Sequence, residues 1–254
     1  MMLVGAFVVA PRVLAGGGFA GQGELVEALR VAFVGYWRTG GGELSPELAS
    51  VSDYWFRYHV AKGVIAAILL GVLVVLGALV WRAHLRADAL GAGKRAALAS
   101  GGVVVTGLAV FALVVVMANI QGAVAPYSSL LPMLTDGATD AEVTGTLDQV
   151  RQGLAASAAG GETTPALEVM ISDFARYHAV MAVIAGVAAA GLIAFSVVLW
   201  KAFAGRAGRA RRLLGSFGVL SVLLALVMVV VAVANATTAA DPEPALAAFF
   251  AGGW

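Results

Sequence analysis

The sequence predicts an all-α polytopic membrane protein with four transmembrane helices, on three observations. Composition is the first: 61% of residues are hydrophobic and 12% charged, against roughly 45–50% and 25% in a soluble domain. That is more apolar surface than one globular core can bury. The second is a stretch that occurs twice. Ser52-Asp53-Tyr54-Trp55-Phe56-Arg57-Tyr58-His59 leads into an apolar run ending at Trp81-Arg82, and Ser172-Asp173-Phe174-Ala175-Arg176-Tyr177-His178 leads into another ending at Trp200-Lys201. Glu43, Pro46, Arg57, Tyr58, His59 and Trp81 each recur 119 positions later, as Glu162, Pro165, Arg176, Tyr177, His178 and Trp200. This reads as an internal duplication. The third is the separation of charge, with basic residues after each of those tryptophans and acidic ones between the repeats.

The expected organisation is a short apolar segment at 1–21, a first repeat at 22–126, a second at 127–242 and an apolar tail at 243–254. Residues Met1 to Ala10 are too few for a bilayer core of about 30 Å, which needs roughly 20 helical residues, and Pro11-Arg12 interrupts them. They are expected to be a truncated fifth span, a poor signal anchor that lacks the usual basic start, or a misassigned start. Val9-Ala10-Pro11 echoes Val124-Ala125-Pro126, which is the ground for the first of these and leaves the other two open.

From Gly23 the pattern becomes helical. Leu25, Leu29, Ala32 and Tyr36 form one stripe and Val143, Leu147, Val150 and Leu154 another, ended by Gly40-Gly41-Gly42 and by Gly160-Gly161. Thr139 and Glu142 have capping-box spacing. Ser45-Pro46 and Thr164-Pro165 each pair a capping hydroxyl with a proline in the first helical position, where its missing N–H costs nothing. No further proline occurs before Trp81 or Trp200, so each run predicts one helix of about 36 residues, some 54 Å long. The membrane spans are expected at about 60–81, 98–119, 179–200 and 213–235. Arg95, Ser100, Gly102, Asn119 and Pro126 recur 116 positions later as Arg211, Ser216, Gly218, Asn235 and Pro242, which pairs the return helices.

Arg82, Arg86, Lys94 and Arg95, and Lys201, Arg206, Arg209, Arg211 and Arg212, predict cytoplasmic loops at 82–96 and 201–212 by the positive-inside rule. The acidic inter-repeat segment and the C-terminal tail then lie outside. Two spans per copy give the repeats parallel topology, with long helices projecting into a small extracytoplasmic helical domain. The tail, with Leu246, Phe249, Phe250 and Trp254, is expected to lie on the membrane or against the outer helices.

A net charge of +1 without a soluble basic cluster argues against a nucleic-acid partner. The absence of cysteine removes disulfides, thiolate metal sites, iron–sulfur clusters and thiol nucleophiles. The Ala, Gly, Val and Arg bias points to a GC-rich bacterial source. Phosphate-loop, dinucleotide, zinc-protease and serine-hydrolase motifs are missing, and no known family is recognisable. Deep in the spans the polar residues are Thr106, Ser196 and Ser221, too sparse for a channel or transporter path.

Three sets of side chains carry possible chemistry. His59 and His178 lie 22 residues before their tryptophans and Asn119 and Asn235 lie 24 after Arg95 and Arg211, so all four reach one depth at the outer boundary. With Arg57, Tyr58, Arg176 and Tyr177 around them, the histidines could ligate a metal, hold a haem, or bind a headgroup. Against this, aromatics sit in interfacial belts, arginines snorkel to phosphates and asparagines cap helix ends. Asp53 and Asp173 stand at ion-pair spacing from Arg57 and Arg176, near Glu43, Glu47, Glu162 and Glu168, and read as a solvated face. Lys62, one turn inside the first span, reads as a snorkelling lysine, and His84 as solvated.

The expected function is a scaffold or accessory protein presenting its outer domain to a protein partner or lipid, on the strength of Tyr54-Trp55-Phe56 and Phe249-Phe250 as exposed aromatics. The alternative is a metal- or haem-dependent redox enzyme built on His59 and His178. A homo-oligomer through Ala182, Gly186, Ala189 and Ala190 is the remaining partner expectation.

Overall fold

A computed structural model describes residues 10–16, 18–87, 91–137 and 140–253. Among them every regular element is helical: α1 Gln22–Thr39, α2 Pro46–Arg86, α3 Ala92–Val124, α4 Pro126–Thr135, α5 Ala141–Ala158, α6 Pro165–Ala204, α7 Gly208–Ala240 and α8 Glu243–Phe250. Residues 10–14 are helical as well. The expectations for the first nine residues and for Trp254 lie outside the described residues.

Helices α2, α3, α6 and α7 are each long and apolar enough to cross a membrane. No more than 22% of any of their most apolar windows is buried within the protein, so most of that surface needs lipid around it. The long helices start as expected: the Leu48 N–H donates to Ser45 Oγ at 3.3 Å and the Leu167 N–H to Thr164 Oγ1 at 3.4 Å. They end later, running to 41 and 40 residues. Arg82 to Arg86 and Lys201 to Ala204 stay helical, as do Ala92 to Arg95 and Gly208 to Arg212. Most of each expected basic loop is therefore helix, because Ala, Arg, Lys and Leu hold a helix well in water as in lipid.

The chain divides into two compact units: residues 1–62, 119–181 and 234–254 form one, and residues 63–118 and 182–233 the other. The first, the core unit, has a hydrophobic centre of its own. Every residue of the two predicted stripes, Leu25, Leu29, Ala32 and Tyr36 and Val143, Leu147, Val150 and Leu154, is buried in it. Each fully buried Leu or Phe there stabilises the fold by about 1.5–3 kcal/mol. Gly40 ends α1 at φ 63° and Gly160 follows α5 at φ 80°, the left-handed turn that glycine enters without a Cβ penalty. Helix α5 begins at Asp140, whose carboxylate accepts from the N–H groups of Glu142 and Val143. Thr139 lies outside the described residues, and Asp140 fills the capping role one position later than expected.

Two elements of the core unit were not predicted as helices. Pro126 ends α3 by forcing Ala125 out of helical geometry, to φ −129° and ψ 70°, and then serves as the first residue of α4. Helix α8 is the tail. It packs on α5, with Leu246 0%, Phe249 6% and Phe250 2% exposed.

The other unit, here the apolar unit, is fitted together by glycines facing tryptophans. A Cβ at Gly102 would fall 2.6 Å from Trp81 Cε2, and one at Gly218 2.9 Å from Trp200 Cε2. The Trp81 indole N–H donates to Thr106 Oγ1 at 3.2 Å, and the Thr106 hydroxyl donates in turn to the Gly102 carbonyl at 2.8 Å. Ser221 likewise bonds the Phe217 carbonyl. The Thr106 and Ser221 hydroxyls each find a carbonyl within their own helix, as lipid requires. Ala189 is buried inside the chain, so the proposed small-residue stripe on α6 is not wholly free for a second copy.

Candidate functional site

The sequence-predicted residues fall into two groups within the core unit, and the short helix α4 organises both. Its first turn has no side-chain cap from its own neighbour Ala125. Asp173 of α6 supplies one from 45 residues away: Oδ2 accepts from the Ser128 N–H at 2.8 Å and from Ser128 Oγ at 2.9 Å. Asp173 is thus 9% exposed, a carboxylate at a helix N-terminus where the dipole favours it. The solvated-face expectation is wrong for Asp173 and right for Asp53, whose ion pair with Arg57 is open to water. The next residue on α4, Ser129, accepts the Trp55 indole N–H from α2 at 2.8 Å. Adjacent serines therefore bond the two long helices, one each.

Around this clamp the remaining predicted residues bind protein groups. Arg57 donates through Nε to the Ala15 carbonyl at 3.0 Å, and Arg176 pairs with Asp173. Both arginines also keep about half of their side-chain surface exposed, 48% and 58%. Asn119 and Asn235 sit inside α3 and α7, several residues before either helix ends, so neither caps a helix. Asn119 is buried. Gln121, which the sequence did not single out, donates from Nε2 to the Tyr177 carbonyl at 3.1 Å.

The two histidines have different surroundings. His59 donates through Nδ1 to the Trp55 carbonyl at 3.0 Å, and its ring lies where Gly122 has no side chain, 2.5 Å from the position a Cβ would take. His178 donates through Nδ1 to Asn235 Oδ1 at 2.8 Å, edge-on to Phe174 and Tyr177. In both, the Nδ1 bond fixes the tautomer and leaves Nε2 as the free lone pair. That of His178 is buried without a hydrogen-bond partner. Among the described residues no three His, Asp or Glu side chains stand close enough to hold a metal ion.

His59 also lines a pocket of about 190 Å³, with Arg12, Gly21, Gln22, Leu25, Tyr54, Trp55, Tyr58, Lys62 and Met133. Trp55 and Tyr58 stack nearly parallel, 5.1 Å between centroids, and Lys62 lays its ammonium over the Tyr58 ring at 5.2 Å. Two cations, an imidazole and an amide meet aromatic walls with no carboxylate among them. This suits a small anionic group. Arg12 and Gln22 were not predicted; neither belongs to the recurring Ser-Asp to His stretch, and only the fold brings them to Tyr58 and His59.

The aromatics expected to be exposed together are mostly buried. Tyr54 is 5% exposed, Phe249 6% and Phe250 2%, and Trp55 is half-buried on Ser129. Of the five residues only Phe56 is exposed, because the alternate faces of α2 and α8 turn inward to the core. His84 also departs from expectation: it lies on α2 rather than in a loop, its ring edge-on to Trp81 and its Nδ1 buried. No family model, curated protein or solved structure matches this chain, and what its pockets do follows from their own residues.

Proposed function

We propose that the chain is a non-enzymatic integral membrane scaffold or accessory protein. Two tandem hairpins of parallel topology hold the core unit on the extracytoplasmic side, where it engages a protein partner or lipid. The observation that carries this reading is the use of the core unit's polar groups. Asp173, Trp55, Gln121, His178 and Asn235 each join one helix to another, which is the work of side chains that hold a fold.

Charge supports the orientation. The core unit contains seven basic and fourteen acidic residues and the apolar unit nine basic and one acidic, so the positive-inside rule puts the basic ends of the spans in the cytoplasm. The Arg12–Lys62 pocket is the cationic exception in an acidic unit. Lys62 is the last core-unit residue before α2 enters the apolar unit, a place suited to a lipid headgroup. A second reading, a metal- or haem-dependent redox protein using His59 and His178, draws on the unpartnered Nε2 of His178.

The absence of cysteine makes the natural chain a ready background for single-cysteine labelling. Glu162→Cys should react with a membrane-impermeant maleimide in intact cells, and Lys94→Cys only after permeabilisation; the reverse result overturns the orientation. An absorption spectrum with elemental analysis of the purified protein separates the two functions. The scaffold reading expects a colourless, metal-free protein. A Soret band or stoichiometric metal, lost in His59→Ala and His178→Ala, overturns it in favour of the redox reading.

A further inference from the structure

Two cavities in the apolar unit share part of their walls. One, of about 360 Å³, is lined by His84, Arg209, Arg212, Leu213 and Ser216. The other, of about 480 Å³, is lined by Trp81, Val103, Thr106, Gly107, Val110, Leu213, Ser216, Phe217, Leu220 and Leu224. Leu213 and Ser216 belong to both. A basic compartment thus opens onto an apolar slot between α2, α3 and α7.

The basic compartment has the makings of an anion site. Arg209 and Arg212 stand in the first turns of α7, a 33-residue helix whose N-terminal dipole adds to their charge. Arg209 donates to the His84 carbonyl at 3.3 Å, which ties α7 to α2 at this point. The Nδ1 of His84 is buried without a hydrogen-bond partner. Arg211 lies over the Phe203 ring instead and takes no part. The slot beyond is apolar apart from Thr106 and Ser216, and Thr106 is already bonded to Gly102. From Ser216 to Leu224 it follows eight residues of α7, about 12 Å, the direction an acyl chain takes from a headgroup.

We infer that this pair of cavities is a binding site for an anionic phospholipid, its phosphate held by Arg209 and Arg212 beside the His84 ring and one acyl chain in the slot bounded by Trp81, Gly107 and Leu220. Neither compartment alone selects such a ligand. A free phosphate leaves the slot unfilled, and a zwitterionic lipid brings a second cation to an arginine pair. The site is separate from the Arg12–Lys62 pocket and does not depend on the scaffold reading.

The test is native mass spectrometry of the full chain in detergent, titrated with dioleoyl phosphatidylglycerol, with dioleoyl phosphatidylcholine, and with the first in the presence of inorganic phosphate. Two interfacial arginines are worth about 1 kcal/mol each, so phosphatidylglycerol should bind about tenfold or more tighter than phosphatidylcholine, with little competition from phosphate. Arg209→Gln with Arg212→Gln should erase that preference. Gly107→Leu should weaken both lipids while keeping the preference, since a Cβ at Gly107 meets nothing within 4 Å and a larger side chain there enters the slot. Equal binding of the two lipids, a preference that survives the double substitution, or full competition by phosphate with no effect of Gly107→Leu would each overturn the site. The double substitution gives up the Arg209–His84 hydrogen bond but no buried apolar side chain, and retained helicity and melting temperature of that variant show that it folds, so the result stands even if the glycine variant does not.

Discussion

A methyl group added at Gly122 would overlap the His59 imidazole, whereas one added at Gly71 would meet nothing within 4 Å. Both glycines lie inside helices, where Ala is favoured by up to about 1 kcal/mol. Gly71→Ala should therefore raise the melting temperature in detergent, and Gly122→Ala should lower it, because overpacking costs about 1–3 kcal/mol and outweighs the helical gain. Tyr127 gives a second contrast. Its side chain is 2% exposed and its hydroxyl is buried without a hydrogen-bond partner. Tyr127→Phe removes that unsatisfied group and should leave the protein as stable or more so, by up to about 1 kcal/mol. Burial, with Tyr36 and Asp173 nearby, holds the Tyr127 phenol well above its ordinary value of 10.0. The unfolded chain then loses its proton first, so this contribution to stability is whole below about pH 10 and falls as pH rises beyond it. Thermal melts at rising pH should show a smaller alkaline loss in Tyr127→Phe than in the natural chain.

At the scale of elements, α4 depends on a carboxylate from another helix. Asp173→Ala should cost about 1–3 kcal/mol, since it removes a cap and leaves buried Ser128 groups unpaired. Hydrogen exchange should place the lost protection in α4. Asp53→Ala, at the equivalent place in the first repeat, should change stability by about 0.5 kcal/mol or less, because its ion pair is exposed. That difference also explains what the sequence hid. Ser45, Thr164 and the two amphipathic stripes act on their own helices, within a few residues, and local pattern reveals them. Helix α4 carries an internal Pro132, is too short for a clear period, and takes its cap from 45 residues away. Likewise the pocket beside His59 needed Arg12 and Gln22 from well outside the recurring stretch that ends at His59. The repeat located Tyr58 and His59, but the fold supplied their neighbours.

For the whole molecule, hydrophobicity and helix length made the four long helices legible, and the separation of basic from acidic residues marked the two compositions that the compact units carry. At the tail the same hydrophobicity was read two ways: packing against an outer helix, which α8 does, and exposure of Phe249 and Phe250 as a docking surface, whereas both are core. Their place there has a testable consequence. A chain ending at Pro242 should lose the packed core unit, seen as rapid proteolysis between residues 126 and 165, while the four apolar helices stay inserted in the membrane fraction.

The core unit is assembled from three separated stretches, 1–62, 119–181 and 234–254. During synthesis, therefore, its hydrophobic centre stays open until residues 246–250 have been made, long after α1 and α5 have emerged. The hydrogen bonds that tie α8 to α5 join residues 86 and 99 positions apart, and closure over such separations is slow. Insertion of the four spans should come first and cooperative closure of the core unit last. A ribosome that stalls late would leave an inserted protein with an unfilled apolar cleft, a form that chaperones and membrane proteases can tell from the finished one.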